Sequence, residues 1–172
     1  MRHSLRPRMI AIAPSAAEAV RYAGGWLFDQ AMAGWDGTVV TADDGDPRPL
    51  DILGVRARNF DALLAAPVLG PRLRAIALRA DLYQDDERVR RLVLAAAESG
   101  RAEIRLWGDG WPGGLGRSGD LVSHRLSLAA RAFKAQALAA ADLPGAPGDE
   151  SEVFRRGELR HPRLVAASLT DA

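Results

Sequence analysis

Ser15, Asp43, Asp44 and Asp81 are placed where an α/β protein does its chemistry. Each stands at or just past an apolar run, and side chains there reach the crevice beyond the carboxyl ends of parallel strands. A carboxylate at such a point can hold a ribose hydroxyl or act as a general base. A serine opening a helix puts free backbone amides beside an incoming anion. Each residue also has a plainer account. Ser15-Ala16-Ala17-Glu18 is a capping box, and Asp43-Asp44-Gly45-Asp46-Pro47 is a solvated turn. Asp81 has no partner visible in sequence.

The motifs that would make these residues a cofactor site are missing. A dinucleotide fold needs Gly-x-Gly-x-x-Gly after its first strand. Here Pro14 lacks an amide proton and Glu18 would repel phosphate. Gly116-Arg117-Ser118 echoes the end of a phosphate loop, but Trp111 stands five residues before Gly116 and the lysine is absent. His3, His124 and His161 lie far apart, there is no Gly-x-Ser-x-Gly elbow, and there are no cysteines. The expectation is therefore no catalytic residue, no cofactor and no metal, with Ser15, Asp43, Asp44 and Asp81 as ligand-binding candidates.

Gly108–Asp120 is a glycine-rich loop carrying large aromatics. Trp107, Asp109, Trp111 and Arg117 are candidates for a partner-binding surface, because indoles set among glycines are costly to leave in water. The arm before Met9 holds Arg2, His3, Arg6 and Arg8, which could touch phosphate. A net charge of +1 argues against nucleic acid as the main partner. Lys134 is the only lysine among 23 basic side chains. That bias fits a GC-rich coding sequence as well as any function.

The elements that must position these residues follow from periodicity. Met9–Ala13 reads as a strand buried on both faces. Behind Ser15, Val20, Gly24, Leu27, Phe28, Ala31 and Trp35 form one helical stripe, and Gly24-Gly25 implies close approach to a sheet. Thr38–Ala42 is a second strand. Leu50–Leu53 is an antiparallel strand or an extended approach to a short helix marked by Phe60, Leu63 and Leu64. Leu73–Leu82 is the central strand, followed by a helix capped by Asp85 or Asp86, and Ala102–Trp107 is an edge strand. An alanine-rich helix capped by Ser123 follows, apolar on more than one side, which suggests a second subunit.

The order reads as a three-layer, Rossmann-like, doubly wound and mostly parallel sheet of about five strands, with helices on both faces. Residues 1–8 form a basic arm, 9–143 a single domain, and 144–172 a Pro/Gly hinge with a tail packed on it. No run spans a bilayer, so a cytoplasmic protein is expected. The leading functional expectation is a non-catalytic protein working through protein contacts, in a regulatory or assembly role, as a homo-oligomer. The alternative is an enzyme or sensor binding a phosphorylated or nucleotide-like ligand in the strand-end crevice. A third is weak nucleic-acid binding through the arginine arm.

Overall fold

Met9-Ile10-Ala11-Ile12-Ala13 is apolar at every position because β1 (Arg8–Ala13) lies between two cores. Met9, Ala11 and Ala13 face one side, Ile10 and Ile12 the other. The computed structural model describes residues 5–61, 70–110, 115–116, 120–143 and 149–159. Parallel neighbours flank β1: β2 (Asp36–Thr41) on one edge and β4 (Leu73–Arg79) on the other. β3 (Arg56–Asn59) extends the sheet beyond β2, and β5 (Glu103–Trp107) extends it beyond β4, both in parallel.

The helices sort by side-chain size. Ala11, Ala13, Ala75 and Ala77 share one core with Trp26, Leu27 and Phe28 of α1 (Ala16–Met32). On the opposite face Ile10, Ile12, Ile76 and Leu78 are large. There α4 (Glu87–Glu98), which follows the single turn α3 (Leu82–Asp85), presents Val89, Val93 and Ala96. Large packs on small in both layers, as dense interiors require. Asp86 caps α4 by accepting from the Arg88 and Val89 amides.

The parallel order β3-β2-β1-β4-β5 is as the doubly wound reading expects, but the sheet is larger and mixed. Ser151–Leu159 forms β8, nine residues long, antiparallel to β5. β8 also pairs antiparallel with β7 (Leu121–Arg125) and the two-residue β6 (Leu115–Gly116). The expected edge strand β5 is therefore internal.

Two other expectations change. Leu50 belongs to α2 (Arg48–Ile52), a single short helix that makes the crossover between parallel β2 and β3. Ser123 does not cap a helix: it sits in β7, and α5 (Leu128–Ala140) is capped by Ser127, whose Oγ accepts from the Ala130 amide. Phe60 is buried, while Leu63 and Leu64 lie outside the described residues, as does the 144–148 hinge. Among the described residues, no helix is long and apolar enough to cross a membrane.

Gly25 shows what the glycine pair in α1 is for. A Cβ there would lie 2.3 Å from Leu126 Cδ2 and Cγ, so the close approach is to the β7–α5 connection and not to the sheet. Gly25→Ala is expected to lose about 1–3 kcal/mol by overpacking, against a gain of roughly 1 kcal/mol from helix propensity. Urea melts of Gly25→Ala, Leu126→Ala and the double variant check this. Simple additivity of the two single losses would show that the residues do not share one space.

Candidate functional site

The strand order reverses between β1 and β4, and that is where a doubly wound sheet opens a crevice. The turn after β1 brings Ser15 and the first residues of α1 to it. The last residue of β4 is Arg79, and Asp81 follows two residues on. Ser15 Oγ accepts from the Glu18 amide at 3.2 Å, which is half of a capping box. The other half does not form, because the Glu18 carboxylate turns toward Arg79. Arg79 Nη1 donates to Glu18 Oε1 at 3.1 Å and its Nε donates to Asp81 Oδ1 at 2.6 Å.

One guanidinium thus bridges two carboxylates across the switch point. Asp81 chiefly, with Glu18 behind it, holds Arg79 above its already high ordinary value, so the group stays charged. Gly108, just past β5, makes room for this. A Cβ there would stand 3.1 Å from Arg79 Cγ, and its φ of +82° suits glycine. The arginine stem runs through the space that a side chain would fill.

Two cavities are lined by sequence neighbours of these residues, not by Glu18, Arg79 or Asp81 themselves. One, of about 240 Å³, is lined by Ser15, Ala16, Ala17, Asp43, Asp46 and Arg48, with the end of α5 closing it. The other, of about 100 Å³, lies among Ala80, Leu106, Gly108, Asp109, Gly110 and Arg155. The structure therefore brings Ser15 and Asp43 together. Asp44 is exposed on the turn, and neither it nor Asp81 lines either cavity.

Of the loop residues, Trp107 is 4% exposed and stacks on Tyr22 at 6.3 Å, so its indole belongs to the protein's own core. Asp109 is exposed at the rim of the smaller cavity. Trp111 and Arg117 lie outside the described residues. Sequence reasoning missed Arg79 and gave Glu18 only a capping role. The available signal was Arg79 two residues before Asp81 at the end of the central strand.

His124 is remote from the crevice. Its Nε2 is 2.8 Å from Asp29 Oδ2, and Ser127 Oγ donates to Asp29 Oδ1 at 2.6 Å. Burial alone would raise the Asp29 carboxyl. The Ser127 hydroxyl and amide, with His124, outweigh that and lower it. Since Asp29, and not His124, is the central member, the trio ties α1 to α5 and does not activate the serine as a nucleophile.

No protein-family model and no curated protein matches the sequence. Solved structures do share the fold. The A40926 pseudoaglycone deacetylase Dbv21 superposes with a TM-score of 0.62 at 20% identity, covering 91% of this chain and 99% of that one. The deacetylase of teicoplanin biosynthesis, in complex with teicoplanin, gives 0.62 at 15% identity over 90% and 99%. The conserved protein TT1542 from Thermus thermophilus gives 0.53 at 17% identity over 90% and 97%. At these identities the likeness establishes a shared fold.

That finding overturns the expectation of a non-catalytic protein working through regulatory or assembly contacts, because the fold neighbours are deacetylases. The teicoplanin deacetylase Orf2 is also known in a zinc-inhibited form. In this chain, no three His, Asp or Glu side chains gather as a metal ion would need, among the described residues. Glu18 and Asp81 face a guanidinium instead. The described residues do not fit a metal centre at the switch point.

Proposed function

We propose that the chain is a hydrolase of the deacetylase type, removing an acyl group from the amine of a small molecule held in the strand-end crevice. The observation that carries this reading is the Glu18–Arg79–Asp81 triad at the switch point, in a fold shared along nine-tenths of the chain with deacetylases.

In this reading Glu18 is the general base. It is 21% exposed, so water reaches it, while Arg79 fixes its orientation. The water oxygen bonds to the acyl carbon as its proton passes to Glu18. The carbon–nitrogen bond then breaks as Glu18 returns that proton to the leaving amine. The first turn of α1 presents backbone amides toward the same space, where negative charge develops on the acyl oxygen. Asp43 and Arg48, on the wall of the larger cavity, are placed to bind the polar body of the substrate.

The test is incubation of the purified full chain with N-acetylated amino sugars and acetylated glycopeptides, following acetate by NMR and free amine by a fluorogenic reagent. Stoichiometric release of both is expected. Binding without turnover, or no release above buffer across the panel, overturns the hydrolytic reading.

A further inference from the structure

The opposite end of the sheet carries a second site, of different chemistry. Parallel strands all start on the same side, and here arginines stand at or just before three of the five starts. Arg8 opens β1, Arg56 opens β3, and Arg72 immediately precedes β4. Backbone bonds fix this register: the Arg8 amide donates to the Arg72 carbonyl at 2.8 Å, and the Asp36 amide donates to the Pro7 carbonyl at 2.9 Å. With Arg6 these side chains line a cavity of about 370 Å³, whose other walls include Asp36, Thr38 and Trp35. That volume falls in the range of roughly 300–1,000 Å³ typical of small-ligand pockets.

Among the described residues that line this cavity, positive charge is in excess. Four guanidiniums and one carboxylate give the lining +3, whereas the entire 172-residue chain carries +1. The end of α1 abuts the cavity through Ala31 and Trp35, but a helix C-terminus presents only about half a negative charge. Asp36 meets Arg72 at 4.0 Å. For Arg6, Arg8 and Arg56, no carboxylate partner occurs among the described residues. Like charges gathered in one concavity repel unless something negative enters, and guanidinium forks match phosphate oxygens two at a time.

We propose that this cavity binds a small phosphorylated molecule, with Arg8 and Arg56 gripping its phosphate or pyrophosphate group. The site is built from strand starts, at the far end of the sheet from the Glu18–Arg79–Asp81 triad, and it stands or falls independently of the deacylase reading.

Calorimetric titration of the full chain with inorganic pyrophosphate tests it. Saturable binding with one site is expected, weakening as salt rises. Arg8→Gln/Arg56→Gln should weaken it at least about tenfold, each lost charge-assisted contact having that order of effect. Arg91→Gln, which removes an exposed arginine on α4, should leave it unchanged. Circular dichroism and thermal melts confirm that the variants fold. No saturable heat, or equal affinity in the double variant, overturns the proposal. So does a short DNA duplex that displaces pyrophosphate and binds more tightly, since the ligand would then be an extended polyanion.

Discussion

Glu152→Ala is expected to lower the unfolding free energy by about 3–5 kcal/mol, the usual cost of stranding one member of a buried ion pair. Lys134 and Glu152 are only 4% exposed each, and Lys134 Nζ lies 2.7 Å from Glu152 Oε2. The carboxylate also accepts from two amides in the middle of α1, Gly25 at 3.0 Å and Trp26 at 2.6 Å. Lys134 in turn donates to the Arg21 carbonyl at 2.7 Å. The pair is therefore stitched into the helix ladder itself, and removing the acid leaves a buried ammonium and two buried amides. At roughly 2–4 °C per kcal/mol for a chain of this size, the midpoint should fall by about 6–20 °C.

Lys134→Met/Glu152→Gln should lose less than either single change, because no charge is stranded and the glutamine oxygen still accepts from Trp26. A single variant within about 0.5 kcal/mol of the parent would show that the pair contributes nothing. The pH dependence has a definite sign. Burial pushes the Glu152 carboxyl above its ordinary value, outweighing Lys134 and the two amides. Its contribution is thus full below the unfolded carboxylate range near pH 4.3 and is lost as pH rises through the raised native value. The stability gap between parent and Glu152→Gln should accordingly narrow with rising pH, as read by urea melts at several pH values. A widening gap would contradict the assignment.

Glu18→Gln is the second large effect. Removing a general base costs about 10²–10⁴-fold in turnover, whereas glutamine keeps the size of the side chain and one acceptor toward Arg79. We expect kcat for acetate release to drop in that range with KM little changed and the melting curve preserved. Glu18→Asp should recover only part of the loss, since the shorter stem draws the carboxylate away from the crevice. If Glu18→Gln turns over like the parent, the base lies elsewhere. If KM rises instead and kcat holds, Glu18 binds substrate and does not move its proton.

The parallel half of the fold was legible because β1 and β4 are apolar on both alternations, a pattern only a doubly covered strand needs. β8 was legible only in part: Val153–Arg155 reads as either a short strand or a surface segment, because Glu152 and Arg156 occupy its inward positions. Glu152 reads as a surface acid until Lys134, 18 residues earlier, is seen beside it. β7 was mistaken for a helix start because Ser123 resembles a cap, while the alternation of half-buried Val122 and His124 with exposed Leu121, Ser123 and Arg125 is faint. At the site, Ser15, Asp43 and Asp81 could be chosen from their places after strands. The role of Glu18 could not, since the choice between closing its own cap and reaching Arg79 depends on a residue 61 positions away.

The position of β8 also dictates an order of events during synthesis. As the chain leaves the ribosome, α1 and the first five strands emerge early, yet β5 has an open edge until residues 151–159 arrive to cover it. Lys134 likewise waits for Glu152, and the bond from Gly25 to that acid spans 127 residues. Closing so distant a contact is slow, and a bare β-edge invites pairing with other chains in the interval. A nascent chain halted before Ser151 is thus a sticky, half-zipped sheet, and β8 acts as the latch that closes it.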